Sequence, residues 1–224
     1  MEDVQACLRQ AFSQWGRPAA LRVDHGSPWS ARSDLPSGLA LWLRGLAVEV
    51  AFIPPRQPQK NGVVERSQGV GKQWAEPQTC RSAAQLQRRL DRLDRLQREQ
   101  YPVEQEQSRL ALFPELRHSG RKYSRSWERK HWDWDQVLQF LAEHVVARNV
   151  DGNGLVSMYH RSYYVGRKHR YQTIHVFFDP LACEWVFVDQ HDRQLRRHEA
   201  PEVNPDDLLN IHGARRRSRR RGKT

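Results

Sequence analysis

Cysteine is scarce in this chain of 224 residues: three, at Cys7, Cys80 and Cys183, far apart and with no C-x-x-C spacing. That leaves no disulfide framework and no cysteine-based zinc site to argue, and it fits a reducing compartment. Long apolar runs are absent too. None approaches the roughly 20 residues needed to cross a bilayer, and the N-terminal residues lack the charged-then-apolar pattern of a secretory signal. The expectation is a soluble protein of the cytoplasm with no membrane partner. Hydrophobic residues make up 38%, low but enough for a core, because eight Trp add large buried areas. One stretch lacks acid altogether. Arg215, Arg216, Arg217, Arg219, Arg220, Arg221 and Lys223 stand with no Asp or Glu among them, a low-complexity run that cannot fold alone.

What is abundant is positive charge. The formal net charge is +11 and the isoelectric point about 10.1, which points to an acidic partner, of which nucleic acid is the commonest. The terminal run carries seven of those charges, so the remainder holds only +4. The run reads as a phosphate-binding tail, with an incidental read-through end as the plain alternative. His131, His144, His160, His169, His175, His191 and His198 are scattered without ligand spacing and read as surface or barrel residues, not as a metal site.

Periodicity orders the chain. Val4, Cys7, Leu8, Ala11, Phe12 and Trp15 recur at helical spacing until Gly16-Arg17-Pro18. Ala20 to Val23 form a short strand that delivers Asp24 at its C-terminal end, where active sites of open α/β sheets sit. Asp24-His25-Gly26 is also ordinary turn chemistry. A helix over Leu39 to Leu46 and a strand over Ala47 to Ile53 follow. Residues 81–100 are helical, with Ala83, Leu86, Leu90 and Leu93 as a packed stripe and Arg and Asp on the solvated face. Leu116 to Arg129 is basic and aromatic and reads as an interdomain linker. It is either solvated or laid along nucleic acid, with Arg121 and Lys122 as phosphate contacts and Tyr123 and Trp127 available for stacking. From about residue 130 the pattern predicts short strands: Val145 to Asn149 leading into a D-G-N-G hairpin turn (Asp151 to Gly154), then Leu155 to Val165, Tyr171 to Phe178, Trp185 to Val188 and Gln194 to Arg197.

The most informative stretch is residues 52–72, F-I-P-P-R-Q-P-Q-K-N-G-V-V-E-R-S-Q-G-V-G-K. Pro54 and Pro55 stop the strand, a polar loop follows, and Asn61-Gly62 opens a helix whose first turns carry Glu65. Glu there is also favoured simply by the helix dipole, by about 0.3–1 kcal/mol. Gln68 and Lys72 share its face at +3 and +7, while Gly69 and Gly71 each cost about 1 kcal/mol in a helix and predict fraying after Arg66.

The wording P-x-Q-P-Q-x-N-G-x-x-E-R, with Lys72 downstream, resembles the last catalytic motif of DDE transposases and integrases, and L-R-V-D-H-G-S-P-W (Leu21 to Trp29) is similar to the preceding one. Forty residues stand between Asp24 and Glu65, a gap that suits the family. The resemblance departs at Gln68, where many relatives have His, and at Y-P-V-E-Q-E-Q (Tyr101 to Gln107), which lacks the family's Tyr-Asn and Arg-Pro-His segment. S-Y-Y-V-G (Ser162 to Gly166) is similar to the small β-barrel that follows the catalytic core in such transposases.

The resemblance implies an α/β ribonuclease-H-like integrase catalytic core, truncated at its N-terminus and followed by a small all-β barrel. The expected division is 1–115 core with trailing helix, 116–135 basic linker, 136–200 barrel and 201–224 Arg-rich tail. It implies DNA integration or transposition by two-metal strand transfer with Mg²⁺ or Mn²⁺. Asp24 and Glu65 are then catalytic metal ligands, and Lys60, Asn61, Arg66, Lys72, Arg121, Lys122, Arg215, Arg216 and Arg217 contact DNA. The family's first Asp has no counterpart, since Glu2 and Asp3 lie in no apolar strand. The expectation is therefore a site completed by a separately encoded N-terminal half or by homo-oligomerisation on DNA ends, with a non-catalytic DNA-binding remnant as the alternative. Association with the nucleoid follows from DNA binding.

Overall fold

Apolar residues at helical spacing make α1 (Val4–Trp15) an amphipathic helix that buries Phe12. It ends at Gly16, whose φ of 77° is a left-handed conformation that suits glycine and whose N–H donates to Phe12 O at 2.9 Å. The computed structural model describes residues 4–26, 28–29, 34–54 and 62–211.

Strand β1 (Ala20–Val23) is followed by α2 (Gly38–Gly45) and β2 (Glu49–Phe52). The two strands pair in parallel, with Ala20 opposite Glu49 and Val23 opposite Phe52, so α2 is the crossover that a parallel pair requires. Ser37 caps α2, its Oγ accepting from the Ala40 N–H. Leu39, Ala40, Leu41, Trp42 and Leu43 are all buried, and an apolar sequence of this kind makes a central helix rather than a surface one.

Helix α3 (Gly62–Ala75) runs unbroken through Gly69 and Gly71, contrary to the fraying expected after Arg66. It packs against α4 (Ala83–Glu99), and that tertiary contact offsets the glycine cost. The leucine stripe of α4 is not packed as expected. No α4 residue is buried, and Leu90 and Leu96 are each 37% exposed. A hairpin of β3 (Pro102–Glu104) and β4 (Gln107–Ser108) and the short α5 (Arg109–Leu112) complete this part.

Residues 116–135 differ from the expected linker. They form α6 (Arg125–His131) and the start of α7 (Trp134–Ala142), capped by Ser124 and Asp133. Tyr123 and Glu128 are buried, and Tyr123 meets Phe12 edge-on at 5.7 Å. The basic side chains had masked a segment whose aromatic and acidic residues face inward.

The C-terminal strands are β5 (Val146–Asn149), β6 (Leu155–Met158), β7 (Arg161–Tyr164), β8 (Thr173–Asp179), β9 (Glu184–Val188) and β10 (Gln194–Glu199). They form an antiparallel sheet in the order β10-β9-β8-β5 and a separate β6-β7 hairpin. Among the described residues no pairing joins β10 to β5, so the sheet does not close into a barrel. The D-G-N-G turn does not make a β5–β6 hairpin either, because β5 pairs with β8. Asp151 instead accepts from the Asn153 and Leu155 N–H groups at 2.8 Å each and redirects the chain into the β6-β7 layer. Helix α8 (Pro205–Leu209) lies in the expected tail and buries Leu208. Its carbonyl accepts from Gln5 Nε2 at 2.8 Å, tying residues near the two ends of the described chain together.

Two apolar clusters result. One joins Val137, Leu138 and Leu141 of α7 to the inner faces of β8 and β9, and the other joins α1, Tyr123 and most of α2. Helix α2 serves both, giving Leu41 to the first and Trp42, Leu43 and Leu39 to the second, so the packing runs across the expected 116–135 boundary.

Candidate functional site

Asp24 follows directly on β1 and is exposed. Its Oδ1 accepts from the Gly26 N–H at 2.9 Å, closing a short turn. His25 stacks on Phe52 with ring centroids 5.0 Å apart, and its Nε2 is 3.0 Å from Ile53 O. The turn that carries Asp24 is thereby fastened to the end of β2, and both strands finish on the same side.

Glu65 is exposed in the first turn of α3. Among the described residues no group of three or more His, Cys, Asp or Glu is placed to hold a metal ion. Asp24 and Glu65 as they stand are therefore short of the donor set that a two-ion site needs.

The DNA-contact candidates divide. Lys60, Asn61, Arg215, Arg216 and Arg217 lie outside the described residues. Arg66, exposed, lines a cleft of about 760 Å³ with Val70 and Trp74 of α3, Gln97 of α4, and Tyr101 and Arg109. Lys72, also exposed, borders a second groove with Gln68 and the α4 residues Leu86, Leu90 and Leu93. Lys122 is exposed, its carbonyl accepting from Arg17 Nε at 3.4 Å. Arg121 is engaged internally: Nη1 donates to Pro18 O and Nη2 to Ala47 O at 2.6 Å. Trp127 is likewise taken, with the Arg17 guanidinium 3.8 Å from its ring centroid and His131 stacked at 4.9 Å. Neither Arg121 nor Trp127 presents itself to a nucleic acid in this arrangement.

Among the described residues, buried Glu128 is a heavily bonded carboxylate. Arg9 donates to it through Nε at 3.0 Å and Nη2 at 2.6 Å, Trp42 Nε1 at 3.0 Å, Arg125 Nη1 at 2.8 Å, and Tyr123 through its hydroxyl. Burial alone would push the carboxyl up, but the bonds from Arg9, Tyr123 and Trp42 outweigh it and hold it down at about 2. The same burial and carboxylate push the Tyr123 phenol up. This cluster joins α1, α2 and α6, and of its donors Arg125 alone is exposed.

Sequence reasoning named Arg66 but missed the partners around it, Trp74, Tyr101 and Arg109. The signal was present in part: Arg66, Val70 and Trp74 recur every four residues, which is one face of a helix. Tyr101 and Arg109 had no such signal, since they reach the cleft only through the turn after α4 and the β3-β4 hairpin. No protein-family model matches the chain.

Proposed function

We propose that this chain is a DNA-acting protein of the DDE transposase or integrase type, in which Asp24 and Glu65 are two of the catalytic carboxylates and the remaining one is supplied by a separately encoded polypeptide or by another copy on the DNA ends. The observation that carries this reading is the parallel register of β1 and β2. Asp24 leaves β1 beside the end of β2, and the chain leaving β2 leads to the helix whose first turn bears Glu65. In open α/β folds the C-terminal ends of parallel strands are where reacting groups gather. The motif residues quoted above supply the rest. In this reading the finer architecture is a ribonuclease-H-like core followed by an all-β module, and Lys60, Asn61, Arg66 and Lys72 hold DNA near the scissile phosphate.

Among the described residues no third carboxylate joins these two in a metal-holding group, which favours a second reading, in which the chain binds DNA and does not cut it. Cleavage and joining of supercoiled plasmid in Mg²⁺ or Mn²⁺, wild type beside Glu65→Gln, separates the two. The first reading expects nicked and joined products from the wild type and none from the variant, with DNA binding retained in both. Products from both proteins in equal yield would remove Glu65 from the chemistry. Binding without products in either would leave the non-catalytic reading standing.

A further inference from the structure

The cleft beside α3 has a composition that the carboxylates do not explain. Trp74 and Tyr101, 37% and 49% exposed, face each other across one end with ring centroids 5.6 Å apart and planes tilted by 58°. Aromatic rings left this open do not serve the core; they offer flat apolar area to something else. Arg66 and Arg109 flank them. Both guanidiniums belong to exposed residues, and among the described residues neither has a hydrogen bond or an ion pair, which suits a planar fork that takes up an anion. Gln97 adds a side-chain amide with one acceptor and two donors. A volume of about 760 Å³ falls within the range of about 300–1,000 Å³ typical of small-ligand sites.

We infer that this cleft is a nucleotide site, taking one unstacked base against Trp74 and Tyr101 while Arg66 and Arg109 hold its phosphate. A planar ring, an edge that exchanges hydrogen bonds with an amide, and an attached anion are the three things these residues recognise together. An aliphatic carboxylate would leave the rings unused, and an apolar helix would bury two unpaired guanidiniums at a cost. The inference rests on the DNA reading only for the source of the nucleotide, which is either an unpaired position in a strand or a free mononucleotide. Arg66 and Trp74 sit on the helix that carries Glu65, so an unpaired nucleotide held here would fix the register of a DNA strand along α3.

The test uses the full chain and three ligands: a fluorescein-labelled duplex with one bulged thymidine, the same duplex fully paired, and thymidine monophosphate. The duplexes are followed by anisotropy and the mononucleotide by titration calorimetry. Wild type is compared with Trp74→Ala, Tyr101→Ala and Arg109→Gln, whose folding is checked by thermal melting. The expected result is an about tenfold preference of wild type for the bulged duplex, abolished in both aromatic variants and reduced in Arg109→Gln. Equal binding of bulged and paired duplex by wild type with no uptake of the mononucleotide overturns the site while leaving the DNA reading intact. Retention of the preference in both aromatic variants does the same. Mononucleotide binding that Trp74→Ala abolishes, without binding to either duplex, supports the site, assigns it to a free nucleotide and removes the DNA reading. Binding of none of the three removes both.

Discussion

Strand β9 buries Trp185, Val186, Phe187 and Val188, whereas β2, a strand of similar composition, buries none of its four residues. The difference lies in the neighbours. β9 sits between β8 and β10, with α7 and the β6-β7 layer contributing to the cluster over its inner face. β2 has one partner, β1, among the described residues. Parallel strands are ordinarily covered on both faces, whereas the β1-β2 pair meets the α2 cluster through Leu21 and Val50 and leaves Phe52 39% exposed, and Leu90 and Leu96 of α4 are similarly open, so among the described residues this part is the less covered. The C-terminal sheet is stabilised by its own packing. The α/β part is held chiefly by α2 and by the buried Glu128 cluster behind it.

The largest effect expected from that contrast comes from emptying the covered side. Trp185→Ala removes a fully buried ring and leaves Glu202 without the indole N–H that now donates to it at 2.7 Å. Urea unfolding should show a loss of about 3–5 kcal/mol. Leu90→Ala, on the uncovered side, should cost well under about 1 kcal/mol. Equal costs would mean that α4 is covered in solution.

Glu128→Gln tests the clamp behind the α/β part. Removing one member of a buried, multiply bonded ionic cluster should cost about 3–5 kcal/mol. The pH dependence has a definite sign. The folded-state pKa is depressed to about 2 from an ordinary 4.5, so the cluster stabilises fully above about pH 4.5 and loses that contribution as pH falls towards 2. The wild type should lose stability across that window, and the variant should show a flatter profile. Identical profiles would move the acid sensitivity to other carboxylates.

The smallest effect, and the only gain, is expected in α3. A Cβ at Gly69 or Gly71 meets nothing within 4 Å, so Gly69→Ala and Gly71→Ala should each stabilise by about 0.5–1 kcal/mol. A loss in melting temperature for either would show that a partner approaches this helix closely in solution.

Much of the first half was legible in the sequence because its elements are local. The three- and four-residue spacing of α1, the apolar run of α2, the strands on either side and the proline stop after Ile53 each specify a structure from neighbouring residues. The region around residues 116–135 was not legible. Its Arg and Lys residues suggest a solvated linker, and nothing adjacent in sequence reveals that Glu128 is answered by Arg9, 119 residues away. The β6-β7 turn was hidden for another reason. Tyr159 and His160 both adopt positive φ, 43° and 67°, where Asn-Gly is the usual signal, and long-range pairing overrides local preference there.

The sequence alone determined the order of helices and strands up to Glu65, the two acidic motif residues and their spacing, and the concentration of charge near the C-terminus, since each depends on residue type and short-range periodicity. Only the tertiary structure decided that α2 serves two cores, that Arg121 and Trp127 are spent on internal partners, that β5 pairs with β8 across the D-G-N-G turn, and that Arg66, Trp74, Tyr101 and Arg109 share one cleft. Those outcomes depend on which distant groups meet, and burial and hydrogen-bond satisfaction select such meetings through contacts that no local pattern in the chain records.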